Sequence, residues 1–241
     1  MPGSRRSVLI LLGIALFFTG GCGKESESAK PAPRQPGIAL VVLVDTSGSM
    51  RERVPGSDGR PTQKILIARS TVHAVIRRLE EFSKANPERP VRLAVYEFSD
   101  RNGQDFCRPV VAMGTPDAAA ARSAVEAMGP DGGTPIGEAM AVANLELDRA
   151  GFASSHLIVV TDGENTTGRP PGDVARELAA LPSEQRPALY FVAFDVAAAK
   201  FAAVKEAGGL LLSASNEPQL KETLEFILGE KILVERPTGT K

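Results

Sequence analysis

Five oxygen-bearing side chains in this sequence have the types and spacing to share one ion. Asp45, Ser47 and Ser49 alternate along Asp45-Thr46-Ser47-Gly48-Ser49, directly after an apolar run. Thr134 follows the pair Gly132-Gly133, and Asp162 stands in Thr161-Asp162-Gly163 after another apolar run. Two carboxylates and three hydroxyls, with no imidazole or thiolate among them, suit Mg²⁺, Mn²⁺ or Ca²⁺ and not zinc. Hydroxyls in direct contact leave the ion's charge incompletely balanced, and Mg²⁺ readily keeps several waters. Such an ion attracts an anionic oxygen from outside. Each motif alone also has a plainer reading: a helix-capping turn, an N-cap at Thr134, a turn at Asp162-Gly163. Whether they act together depends on the elements that carry them.

Those elements alternate. Residues 38–44 form a continuous apolar run that reads as a strand buried on both faces. Ile65, Ala68, Val72, Val75, Ile76, Leu79 and Phe82 recur at helical spacing and predict a helix over about 62–85. Strands are predicted at 91–98 and 106–113, joined by an Asn102-Gly103 hairpin turn, with Pro109 confining the latter strand to a sheet edge. Thr-Pro pairs open helices at 115–128 and 134–149. A strand at 156–160, a helix at 173–181, a strand at 188–194, a helix at 197–207, a short strand at 210–212 and a last helix at about 218–234 follow. This pattern predicts an α/β domain, doubly wound, with a mostly parallel six-stranded sheet and one antiparallel edge strand. Following chain direction, Asp45, Thr134 and Asp162 all arrive at the carboxyl end of the sheet. Open α/β sheets bind ligands there, near the switch in strand order.

The three motifs on this topology resemble the von Willebrand factor type A domain and its metal-ion-dependent adhesion site. The likeness spans nearly all of residues 37–230. Asp45, Ser47 and Ser49 match the family's Asp-x-Ser-x-Ser motif, Thr134 its separate Thr and Asp162 its later Asp. The resemblance implies a Rossmann-like sheet and a divalent ion contacted by the Ser pair and the Thr, the last directly in one state. The two Asp would act largely through water. It also implies a protein partner whose Glu or Asp completes the coordination. In the family, metal-linked binding can shift the last helix.

The chain start predicts export. Arg5 and Arg6 precede an apolar run over 8–18, followed by Thr19-Gly20-Gly21-Cys22. A positive start, a short apolar core and small residues make a signal peptide over 1–21, too short for a comfortable permanent span. Cys22 after small residues resembles the lipobox of bacterial lipoproteins, with Thr19 replacing the usual Leu; Cys22 is therefore the expected lipidation site and membrane anchor. Ser4-Arg5-Arg6 also resembles a twin-arginine signal. Residues 22–36 read as a solvated tether, 37–234 as the domain and 235–241 as a frayed tail. Removing 1–21 takes away two Arg and no acid, moving the net charge from −1 to −3. The residue after Cys22 is Gly23, not the Asp that signals inner-membrane retention in many Gram-negative bacteria, so a periplasm-facing position on the outer membrane is favoured.

Composition removes other classes. Apolar residues make up 43% and charged residues 24%, which excludes collagen-like, disulfide-framework and wholly disordered chains. The near-zero charge lacks the basic excess that nucleic acid requires, and no Trp is present to stack bases. Cys107 reads as a semi-buried thiol, and His73 and His156 as structural or surface residues. Asn165-Thr166-Thr167 spells a glycosylation sequon that reads as chance in a bacterial lipoprotein.

No enzyme is expected. A metal-dependent phosphatase of the haloacid dehalogenase type needs Asp-x-Asp after the first strand, where this chain has Ser47. A serine hydrolase needs a His beside Ser47 or Ser49, and His156 lies at the other end of its strand. A metal-bound but purely structural domain is the remaining alternative. Specificity is expected from the polar loops beside the site: 51–63, with Arg51, Arg53 and Arg60 to steer an acidic partner, and 164–172.

Overall fold

The computed structural model describes residues 33–235. The expected signal peptide, Cys22, the tether up to residue 32 and the tail from residue 236 lie outside the described residues. Strand β1 (Gln35–Asp45) already pairs at Gln35, so the tether gives way to the sheet slightly before the expected residue 37.

Six strands form the main sheet: β1, β4 (Val91–Arg101), β5 (Gln104–Gly114), β6 (Phe152–Thr161), β7 (Ala188–Phe194) and β8 (Leu210–Ala214). Their order is β5-β4-β1-β6-β7-β8, and every neighbouring pair is parallel except β4 with β5. The expected fold class therefore holds, with the strand that carries Pro109 at an edge. Alternate residues of β1 face opposite layers. Leu40, Val42 and Val44 pack with helices α1 (Lys64–Ala85), α2 (Ala118–Glu126) and α6 (Glu217–Ile227). Ala39, Val41 and Leu43 pack with α3 (Ile136–Ala150), α4 (Pro171–Ala179) and α5 (Ala202–Glu206). That two-sided burial is why 38–44 reads as unbroken apolar sequence.

The departures have local causes. Residues 51–63 read from sequence as a polar loop, yet β2 (Arg53–Pro55) and β3 (Pro61–Gln63) pair there as a small hairpin pinned by the buried Val54. Helix α1 consequently begins at Lys64. Helix α2 is capped by Asp117, whose Oδ1 accepts from the Ala120 N–H at 2.9 Å, while Thr115 meets Arg92. Thr134 does not cap α3; that helix starts two residues later. The expected helix over 197–207 divides into a 3-10 turn (Ala198–Phe201) and α5. The last helix ends at Ile227 and continues as a wider turn through Ile232. On β5, Cys107 is half-buried and free, and burial followed by the nearby Glu97 pushes its thiol up to about 12, which keeps it protonated and unreactive.

Candidate metal centre

The switch in strand order falls between β1 and β6, because the chain runs from β1 outward to β5 and returns to β6 on β1's other side. Asp45 ends β1, and Asp162 directly follows β6. The turn after β1 brings Ser47 and Ser49 back over that end. Its backbone is held by the Ser47 N–H donating to Asp45 Oδ1 at 2.7 Å and the Thr46 N–H donating to the Phe98 carbonyl at 2.9 Å.

The second motif, Gly132-Gly133-Thr134, is clamped onto the first. The Gly48 N–H donates to the Gly132 carbonyl at 2.8 Å, and the Asp131 N–H to the Thr46 carbonyl at 2.8 Å. Asp100 at the end of β4 exchanges two backbone hydrogen bonds with Gly133, at 2.9 and 3.1 Å. Gly132 has φ +70°, and a Cβ there would sit 1.3 Å from the Asp100 carbonyl oxygen, so only glycine fits. Thr134 is fixed next. Its N–H donates to Thr166 Oγ1 at 2.7 Å, and its carbonyl accepts from the Thr166 N–H at 3.0 Å. Asn165 Oδ1 accepts from the Ile136 N–H at 2.8 Å and supplies the cap of α3 that Thr134 does not. Asn165 and Thr166 thus serve this loop structurally. The sequon pattern hid that role, since their partners lie about thirty residues away in the chain.

All five expected site residues converge. Ser47 Oγ is 3.0 Å from Ser49 Oγ, and Ser49 Oγ donates to Asp162 Oδ1 at 2.7 Å. A Cβ on Gly163 would lie 3.5 Å from Thr134 Oγ1 and 3.6 Å from Ser49 Oγ, so both hydroxyls face the space that Gly163 leaves open. The Thr134 residue is 4% exposed, and its hydroxyl makes no hydrogen bond among the described residues but stays open to the gap. Asp45 is fully buried, and its Oδ2 accepts from Thr161 Oγ1 at 2.5 Å. Thr161, which the sequence places in the Thr161-Asp162-Gly163 motif without a role of its own, is thus a site residue.

Both acids are held above the ordinary carboxylate range. Burial first, and the Asp162 charge second, push Asp45 up to about 7 against the hydrogen bonds from Ser47 and Thr161. Burial likewise raises Asp162, opposed by Ser49 and Lys64. A divalent ion among these groups would reverse both shifts and give Thr134 a partner. Among the described residues no group of three or more His, Cys, Asp and Glu is placed to hold a metal. The donor set on offer is therefore hydroxyls with two acids, which fits Mg²⁺, Mn²⁺ or Ca²⁺.

The three arginines of the loop 51–63 are exposed and do not reach the acids of the site. Arg51 donates to the Pro130 carbonyl at 2.6 Å, tying the first loop to the second, and Arg53 to the Pro61 carbonyl at 3.0 Å within the hairpin. Arg60 pairs with Asp58 at 3.6 Å. The sequence reading missed Lys64, the buried first residue of α1, whose Nζ lies 3.0 Å from Asp162 Oδ2.

Solved structures with this fold include a D319A mutant of the PilB minor pilin from Streptococcus sanguinis, 14% identical with a TM-score of 0.61 over 83% of this chain and 62% of that one. A von Willebrand factor type A protein from Catenulispora acidiphila is 20% identical, with a TM-score of 0.59 over 80% of this chain and 42% of that one. BatB from Bacteroides thetaiotaomicron is 16% identical, with a TM-score of 0.61 over 80% of this chain and 98% of that one. This chain thus spans less than two thirds of the pilin and of the Catenulispora protein. The comparison with curated proteins gives no match. The model of the von Willebrand factor type A domain matches residues 40–164, on the fold and the site described above. This chain belongs to that family, whose domains generally serve as protein-interaction or adhesion modules.

Proposed function

We propose that this chain is an exported, lipid-anchored binding module whose Asp45, Ser47, Ser49, Thr134 and Asp162 hold a divalent cation, Mg²⁺ before Mn²⁺ or Ca²⁺. A Glu or Asp of a partner protein completes the ion's coordination. The observation that carries this reading is that the Thr134 hydroxyl, free of any hydrogen bond among the described residues, faces the same gap as the Ser49 hydroxyl that bonds Asp162. Bound there, the cation supplies a positive centre for an incoming carboxylate. The two Ser and Thr134 present neutral oxygens to it. Asp45 and Asp162 hold those hydroxyls in place through Ser47 N–H and Ser49 Oγ.

No catalytic role is proposed. The second acid of a phosphatase pair is Ser47, and no imidazole lies in the site. At the opposite end of the sheet, Ser154 Oγ and Glu235 Oε2 both address the same His156 nitrogen, Nε2, at 2.7 and 3.4 Å. A nucleophile–base–acid relay needs the two on opposite ring nitrogens. His156 is moreover 1% exposed.

Lipidation at Cys22 and a periplasm-facing place on the outer membrane rest on the sequence of the first 23 residues. The exposed Arg51, Arg53 and Arg60 beside the site suit an acidic partner surface. The test is capture from solubilised envelope by the immobilised protein, with Mg²⁺ and with chelator. A specific partner retained only with Mg²⁺, and released by Thr134→Ala, is expected. A partner held equally well with chelator would mean that binding does not pass through the ion.

A further inference from the structure

Lys64 is 1% exposed, a burial lysine reaches only when its charge is compensated. Its ammonium has three N–H donors, and three carboxylates surround it: Glu52 Oε2 at 2.7 Å, Asp195 Oδ2 at 2.9 Å and Asp162 Oδ2 at 3.0 Å. They come from the loop after the first motif, from the end of β7 and from the site itself. Asp195 is held at φ +55°, a conformation uncommon for a side-chain-bearing residue, with its N–H on the Ala214 carbonyl at 2.7 Å. Asp162 is therefore shared: Oδ1 faces Ser49 inside the site, and Oδ2 faces the ammonium.

We propose that Lys64 is a positioning residue that acts as the internal counter-cation of the metal centre, compensating Asp162 when the ion is absent and weakening the ion's hold when it is present. The inference rests on the metal reading above. One carboxylate between two cations serves each less well, because the cations repel across it. Lys64 cannot leave, being the first residue of a 22-residue helix. The divalent ion can. The centre thus stays folded without metal and loads it reversibly, so that partner binding follows the metal supply.

A salt bridge with only a structural role would lower stability equally with and without metal and leave metal affinity alone. The experiment is Mg²⁺ titration by calorimetry, with thermal unfolding in chelator and in saturating Mg²⁺, on wild type, Lys64→Gln and Lys64→Arg. Lys64→Gln is expected to bind Mg²⁺ tighter by about tenfold or more, since a positive charge is removed from beside the ion. Its melting temperature should fall in chelator and recover in Mg²⁺. Lys64→Arg keeps the charge and should return Mg²⁺ affinity to near the wild-type value. Equal or weaker affinity in Lys64→Gln overturns the proposal. So does failure of Lys64→Gln to fold in saturating Mg²⁺, since the ion should then replace the ammonium. Wild type that binds no Mg²⁺ is a separate result: it removes the metal reading, and this inference falls with it.

Discussion

Asp45 illustrates how one residue can carry both the chemistry and the instability of a site. Buried and facing Asp162, its acid stays protonated in the metal-free fold up to about pH 7. In the unfolded chain it ionises near its ordinary value of about 3.9. Between those pH values the native protein holds a proton that the unfolded chain has lost. Its stability is thus fullest below the lower value and falls as pH rises, by about 1.4 kcal/mol per unit while the difference lasts. Metal-free protein should therefore melt at a higher temperature at pH 5 than at pH 7.5, and Asp45→Asn should flatten that slope. Saturating Mg²⁺ should reverse the trend, because the cation favours the ionised acids. Thermal unfolding at the two pH values, with chelator and with Mg²⁺, measures this; an equally steep slope in Asp45→Asn would assign the effect elsewhere. At this scale Asp45, Ser47 and Ser49 were legible from residue type and short spacing, and Thr134 and Asp162 from chain direction and the family resemblance. Lys64 was not, since a lysine opening an amphipathic helix looks solvated, and its partners Glu52, Asp162 and Asp195 come from three separate segments. Thr161 stood in the third motif, but its role was hidden because the Asp45 it bonds lies far away in the chain.

At the scale of elements, loops position the centre more than strands do. The Gly132-Gly133 segment is fastened both to the first motif and to β4, and it carries Thr134 into place. Gly132→Ala meets a positive φ and a backbone oxygen 1.3 Å from the new Cβ. It should cost about 2 kcal/mol or more in stability. It should also weaken Mg²⁺ binding more than a destabilised but intact site would, because Thr134 is displaced. Denaturant unfolding and Mg²⁺ calorimetry on one sample separate the two effects. Wild-type Mg²⁺ affinity in a merely less stable variant would show that the clamp is not what places Thr134. The strands were legible as continuous apolar runs because both sheet faces are covered, and the Asn102-Gly103 turn signalled the antiparallel edge. Helix starts were less so. A Thr-Pro pair suggests a cap, but α2 takes Asp117 and α3 takes Asn165 from across the chain, and no local pattern reports a cap supplied at that distance. The β2–β3 hairpin escaped because a single buried valine, Val54, anchors it.

For the whole molecule, connectivity does the assembling. Crossover connections lay parallel strands on both sides of β1, and the return of the chain from β5 to β6 opens the gap in which the three motifs meet. That placement could be followed from chain direction alone, which is why the site was predicted before any side-chain geometry. The membrane end of the proposed function rests on residues 1–23, and the partner end on the rim built by 51–63 and 164–172. The sheet carries the site's loops. The proposed binding passes through the divalent ion, so the most direct measurement is calorimetric titration of Mg²⁺ into the purified protein and into Thr134→Ala. One ion per chain is expected, with affinity at least about tenfold weaker once a direct oxygen ligand is removed. No binding in the wild type, or equal binding in Thr134→Ala, would contradict a metal centre built on these five residues.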